Sequence, residues 1–336
     1  MSALLNKRLA RSLWRSKLRL FAVIFMVSVG VFAGLTFGGY SHNLSGMYDT
    51  MHADDDDGAN LADLWIDNRS TTWSAEQVAN FCQHLTDNWD LSAHDLDSCE
   101  GRNIIPGAMF FDDNGEDRII NSLWHGIAPT ANSDRVWMPD GHSGGRLAVA
   151  DDEIVIDAHV MEPLELNLGD TITIGAGSSS AEFSIVGYGY HPVHIFMAPE
   201  GSVFPPEAGE YVVGYLSESG MARLTGNDLG ASNTILLDVQ GTPSFDLPDT
   251  NEYEGKEIDA IKLQVEDSLT ATQLDARQRD RGQNEQVEIM RQDLEASKRM
   301  ATPFTVMIAA IAAITIILSL QRLVPVSYTH LTLPTN

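Results

Sequence analysis

The sequence predicts an α+β membrane protein, with two transmembrane helices flanking a folded domain outside the cytoplasm. Three observations predict it. Two long uncharged apolar runs, residues 20–40 and 304–320, stand near the two ends of the chain. A helix needs roughly 17 to 25 apolar residues to cross a bilayer core, and both runs reach that length. Between them the texture alternates between short β-branched strands and amphipathic helical stretches.

The charge is distributed in the same way. The 336 residues carry a formal net charge of -26, yet residues 1–48 contain no Asp or Glu. They do contain Lys7, Arg8, Arg11, Arg15, Lys17 and Arg19. All 47 acidic residues fall between Asp49 and Glu295 and far outnumber the basic ones there. Lys and Arg bias places the N-terminus in the cytoplasm and the acidic section outside. Such a surface excludes nucleic acid as a partner, because phosphate binding needs a basic footprint. A cleaved signal peptide is the competing account of the first run. That run exceeds the usual ~7–15 residues of a signal core, and no A-x-A site follows it.

Taken in order, residues 1–19 read as a cytoplasmic basic segment, with Leu4, Leu5, Leu9 and Leu13 spaced as in an interfacial amphipathic helix. Residues 20–40 form transmembrane helix 1. Gly30, Gly34 and Gly38 lie four apart in it, which either admits a second helix closely or reflects the tolerance of membrane helices for Gly. Residues 41–284 form the outside domain. It opens with an acidic run, Asp54 to Asp57, which reads as a solvated loop because calcium-ligand spacing is absent. Residues 61–67 read as a strand, and Ser74 with Gln77 marks a capping box for a helix to about Trp89. Residues 103–111 and 118–125 read as strands joined by a turn at 112–115.

A β-rich insert spans about 140–205, with strands at 153–157, 171–174 and 181–187 separated by glycine turns. Residues 211–216 and 234–239 are further strands. Residues 243–253 form a loop, and Ile258, Ile261 and Val265 put a helix over 255–269. Residues 270–283 carry no clear pattern. The α+β piece is thus built from about 61–125 and 211–283, with the insert between. Residues 285–302 are a stalk helix, with Val287, Met290 and Leu294 on one face. Pro303 either kinks that helix or opens a new one. Residues 303–324 form transmembrane helix 2. A helix continuing from an outside domain into the membrane either transmits force or only anchors.

Little in the chain signals catalysis. There is no P-loop, no H-E-x-x-H and no C-x-x-C. Gly141-His-Ser-Gly-Gly145 matches the nucleophile-elbow pattern, but no helix follows Ser143, so a Gly-Ser loop is the reading. His191 and His194 lack the third and fourth ligands of a metal set. No catalytic residue, metal ligand or cofactor is therefore assigned. Cys82 and Cys99 lie in a compartment that permits a disulfide; they form either a disulfide or two separate thiols.

Three segments resemble the FtsX-like permeases of ABC transporters, the MacB and LolE type. Arg11 to Phe21 looks like that family's basic approach to its first membrane helix. The stretch from Glu153-Ile-Val-Ile-Asp157 through Leu166-Asn-Leu-Gly-Asp-Thr-Ile-Thr-Ile174 to Phe183-Ser-Ile-Val-Gly187 is similar to the outside-domain pattern. Residues 293–324 resemble the stalk and second membrane helix. The resemblance implies a MacB-like periplasmic core domain and a permease subunit, not an enzyme. Its partners would be a separate cytoplasmic ABC ATPase, a second permease copy or paralogue, and membrane lipid. The implied action is mechanotransmission: ATP-driven movement below drives export or extraction of a substrate at the outer face. The alternatives are an FtsX-like regulator of a cell-wall hydrolase and a two-helix sensor. Family members carry further membrane helices where this chain has residues 325–336, which read as a non-native tail fitting neither helix nor family.

Overall fold

The computed structural model describes residues 17–52, 58–113, 116–138, 144–195, 197–199, 201–202, 204–243 and 257–329. Residues 1–16 of the interfacial helix expected over 1–19, the acidic run at Asp54–Asp57, Ser143 and most of the 243–253 loop lie outside that set. The chain divides into two compact units, residues 48–290 and the pair of segments 1–47 and 291–336.

The first unit mixes sheet and helix. Its strands are β1 (Leu64–Asn68), β2 (Leu96–Asp113), β3 (Glu116–Gly126), β4 (Glu153–Asp157), β5 (Thr171–Ala176), β6 (Ser179–Gly189), β7 (Tyr211–Leu216), β8 (Thr234–Val239) and β9 (Ala276–Asp280). Six of them close into a barrel, in the order β2-β3-β7-β4-β6-β5 and back to β2. The β3–β7 and β4–β6 pairs are parallel and the rest antiparallel. Closure leaves no free edge, which is how a small all-β body avoids edge-to-edge association. Alternate residues of each strand fill the interior: Met109, Ile120, Trp124, Ile154, Ile156, Ile174, Phe183, Ile185 and Val213 are all buried. Trp124 donates from Nε1 to the Gly175 carbonyl at 3.0 Å. Gly107 and Gly214 flank its indole; a Cβ on either would approach it within 2.1 and 2.7 Å.

The α+β piece is a four-stranded antiparallel sheet, β9-β1-β8-β2. Two helices cover one face: α2 (Ala75–Asp87) and α5 (Glu257–Thr272). Leu64 and Ile66 of β1, with Ile235 and Leu237 of β8, meet Val78, Phe81, Leu85, Ile258, Ile261 and Val265 there. The other face carries Trp65 and Leu236 against Leu61, Ala62, Val287 and Val193. The Ser74–Gln77 capping box forms as the sequence predicts, with both reciprocal bonds present at 2.9 and 3.2 Å. Two short helices, α3 (Ala158–Met161) and α4 (Glu218–Thr225), complete the domain.

The boundary between the two pieces differs from the sequence reading. The barrel is not confined to 140–205: it recruits β3, β7 and the second half of β2. The reason is the pairing of β7 with β3 and β4, a long-range contact that no local pattern encodes. Residues 276–280, left unassigned by pattern, form the edge strand β9, whose Arg277 and Arg279 suit an edge.

The second unit holds α1 (Lys17–His52, 36 residues) and most of α6 (Glu285–Thr329, 45 residues). The helix α6 runs through Pro303 without a break in its assignment and on to Thr329. It therefore takes in the first part of the segment read as fitting no helix. Gly30 faces Ile308: a Cβ there would come within 2.5 Å of its Cγ2, so the glycine lets the two helices meet. Gly34 and Gly38 have nothing within 4 Å. Phe21, Phe25, Phe32 and Leu35 on α1, and Val306, Ile311, Ile314 and Ile317 on α6, are exposed. Among the described residues no helix is long and apolar enough to cross a membrane.

Candidate functional site

Among the described residues two buried polar clusters lie in the domain of residues 48–290, and an irregular strap, residues 190–195, 197–199 and 201–202, adjoins one of them. The first cluster is a knot where the chain enters and leaves the domain. Arg281, almost wholly buried, follows β9 and precedes α6. It donates from Nε to the Ala62 carbonyl at 3.0 Å and from Nη2 to the Leu61 carbonyl. The same Nη2 lies 3.0 Å from Asp63 Oδ1, an ion pair without hydrogen-bond alignment. Asp63 Oδ2 accepts from the Val239 amide at 3.1 Å. Asp134 accepts from the Ala62 amide at 2.9 Å and from Trp65 Nε1 at 2.8 Å. Asn60, held at φ 46°, donates to Asp238 Oδ2 at 2.9 Å. Arg102 caps the knot through the Ser133 and Asp134 carbonyls and Glu100.

The electrostatics follow from counting charges. Among the described residues Asp63, Asp134 and Asp238, with the half-buried Glu100, outnumber the buried guanidiniums of Arg102 and Arg281, so the balance of charge favours a proton on a carboxyl. Burial pushes Asp238 up to about 8, and the neighbouring Asp63 carboxylate pushes the same way. Burial also raises Asp63, against the pull of Arg281. Asp134 is raised by burial too, opposed by the Ala62 amide and Arg102. Asp63 and Asp238 thus titrate as a coupled pair, both shifted upward by burial.

The second cluster is three histidines. His125 ends β3; His191 and His194 come from the strap after β6. Their ring centroids are 4.8 to 5.2 Å apart. The Nε2 atoms of His125 and His194 are 2.7 Å apart, an N–H···N hydrogen bond in which one ring donates. His191 stacks on Tyr215 at 5.4 Å, and its Nδ1 accepts from the Val193 amide. Tyr215 donates its hydroxyl to Asp157, which also holds His159. Burial depresses all three imidazoles, His194 to about 4 and the other two well below the ordinary histidine range.

The cluster does not fit a metal. Two imidazoles on one tetrahedral zinc, at roughly 2.0–2.1 Å each, keep their nitrogens about 3.3 Å apart, wider than found here. A metal-bound imidazole also donates its other N–H to a fixed acceptor. Nδ1 of His125 and of His194 has no such partner among the described residues. Nor does any set of three His, Cys, Asp or Glu among those residues fit an ion.

The strap carries these histidines to the base of α6. Its start pairs with Trp137 through the Tyr190 backbone at 2.8 Å. Val193 packs beside Val287, Gln286 donates to the Ala198 carbonyl at 2.8 Å, and the Gly201 amide donates to Glu285 at 3.3 Å. A separate groove of about 310 Å³ lies among Ile127, Pro129, Val136, Trp137, Met138 and Leu147.

Cys82 on α2 and Cys99 on β2 form a disulfide, with Cα atoms 5.6 Å apart. The His191–His194 pair singled out by spacing does converge, but on His125, 66 positions from the nearer of the two. Asp63, Asp134, Asp238 and Arg281 stand alone in sequence and gave no signal. Asn60 and Asp134, both at positive φ, are visible only once the backbone is known.

No protein-family model matches the chain. No curated protein matches it either. Among solved structures, the fold is similar to the periplasmic region of MacB from Actinobacillus actinomycetemcomitans, at 12% identity and a TM-score of 0.38, over 69% of this chain and 92% of that one. It is also similar to the extracellular domain of the noncanonic ABC-type transporter YknZ from Gram-positive bacteria, at 11% identity and a TM-score of 0.35, over 65% and 98%. At these values the likeness assigns no residue a role.

Proposed function

We propose that this chain is part of a permease subunit of an ABC transporter, with its domain of residues 48–290 outside the membrane. The observation that carries the reading is α6: one helix begins in the buried base of the domain and continues through the apolar run 304–320. Large apolar side chains on α1 and α6 are exposed in this chain, and lipid is the cover that such helices find. The resemblance of residues 153–187 to the outside-domain pattern of FtsX-like permeases supports the same reading.

On this reading the chain does no chemistry itself. A cytoplasmic ABC ATPase supplies the work, a second permease copy or paralogue pairs with this one, and α6 carries the displacement outward. The knot suits that task. Arg281 fixes the chain at residues 61–63 to the chain just before α6, so force arriving on either meets one rigid point.

Labelling tests the geography. In intact cells a membrane-impermeant maleimide should modify the Ser70→Cys variant of the exposed β1–α2 loop as fully as it does in lysed cells. Modification only after lysis overturns the reading. Reconstitution with a P-loop ATPase tests the role: stable complex formation in lipid nanodiscs supports a permease, and a defined complex with an extracytoplasmic hydrolase instead favours a regulator.

A further inference from the structure

We propose that the strap made by residues 190–195, 197–199 and 201–202 is a latch, held shut by neutral imidazoles, that acid opens. Closed, it joins the barrel to the first turn of α6. One end is fixed by His191 and His194 against His125 and Tyr215, the other by Val193, Ala198 and Gly201 against Val287, Gln286 and Glu285. The fastening is three rings in mutual contact, with three ring nitrogens that have no hydrogen-bond partner among the described residues: Nδ1 of His125, Nε2 of His191 and Nδ1 of His194. Among the described residues only the Asp134 backbone, beside His191, favours an added hydrogen through a hydrogen bond, and two charges at that spacing repel strongly in a dry site.

The surroundings set the direction. Arg102 on β2 faces His125 and His191 and opposes their protonation. Asp157 on β4 favours a proton on His194, but its oxygens already accept from Tyr215 and His159. Asp134 meets His191 only through its backbone. Tyr215 on β7 is held protonated by burial and by Asp157. Released rings return to an ordinary pKa near 6.5, so below that pH each imidazole favours the open strap by about tenfold per pH unit. Three of them give roughly a thousandfold per unit, until the closed cluster itself begins to take protons. The latch does not depend on α6 crossing a membrane.

The test uses the whole chain in detergent micelles, with spin labels on Ser180→Cys in β6 and Ser202→Cys in the strap. The native cysteines are bonded to each other and do not label. Pulsed electron spin resonance should give one narrow distance at pH 7.5. At pH 4.5 a second, longer population should appear and should vanish on return to neutral pH. The His125→Asn/His194→Asn pair keeps an amide hydrogen bond but takes no proton, and should stay closed at pH 4.5. If that variant does not fold, His191→Phe alone should move the opening midpoint to lower pH. An unchanged distance down to pH 4, an unmoved midpoint, or opening only with loss of far-UV circular dichroism overturns the proposal.

Discussion

The knot and the histidine cluster are both buried and polar, yet they are built on opposite terms. In the knot, Arg281, Asp63 and Asp134 are bonded to backbone and Asp238 to Asn60, and ionised groups are kept inside the domain although burial pushes Asp238 toward its protonated form. In the histidine cluster burial disfavours any formal charge, and three ring nitrogens have no hydrogen-bond partner among the described residues. A paired ionic network resists removal of a charged member, because its loss strands the buried charge opposite. An under-bonded neutral cluster tolerates apolar replacement and fails instead when a proton arrives. The first behaves as a fixture, the second as a fastening that conditions can undo.

The comparison can be broken at its strongest point. Arg281→Met should lower the unfolding free energy of the intact chain by about 3–5 kcal/mol in urea titration, since it abandons two carbonyls and Asp63 together. A loss under 1 kcal/mol would make the knot no fixture. The disulfide between α2 and β2 braces the same sheet. Cys82→Ser with Cys99→Ser should cost about 3 kcal/mol, the figure for a loop of that size. Asp238→Asn sharpens the contrast, since it fixes the protonated state. The wild-type contribution of Asp238, raised in the folded state, is fully present below its unfolded value near 3.8 and is lost as pH rises through about 8. The variant should flatten stability across that window and gain about 1–2 kcal/mol at pH 8.

The histidines run the other way. Their folded values are depressed, so their contribution is present above the unfolded value near 6.5 and is lost as pH falls toward about 4, where His194 titrates. The smallest effect belongs here. His191→Phe should change stability at pH 7 by less than about 1 kcal/mol, because a ring of similar shape can keep the stacking on Tyr215 and only the long 3.3 Å bond from the Val193 amide is lost. Its acid limb should be shallower in a stability-against-pH series.

Much of the fold was legible because local chemistry and final structure agree. The β-branched runs at 211–216 and 234–239 become strands with those limits, and Ser74 caps its helix. The stalk residues Val287, Met290 and Leu294 are buried, as their spacing predicts. The reading went astray where partnership is distant. β9 reads Ala-Arg-Gln-Arg-Asp, with no apolar face of its own, and is a strand only because β1 offers an edge. The barrel's limits moved because β7 joins β3 in parallel, more than 80 residues away. The site was less legible than the fold. His191 and His194 drew notice by spacing, but the third ring and every member of the knot come from separate elements.

Strand β2 runs 18 residues, giving its first half to the sheet with β8 and its second to the barrel. One piece of backbone is therefore common property of two cores. Neither core can be excised with its own hydrogen-bond ladder intact, so a protease clip near Asn103 should release no durable half. Evolution could swap loops on this scaffold freely, but it could not trade one lobe for another without cutting a shared beam.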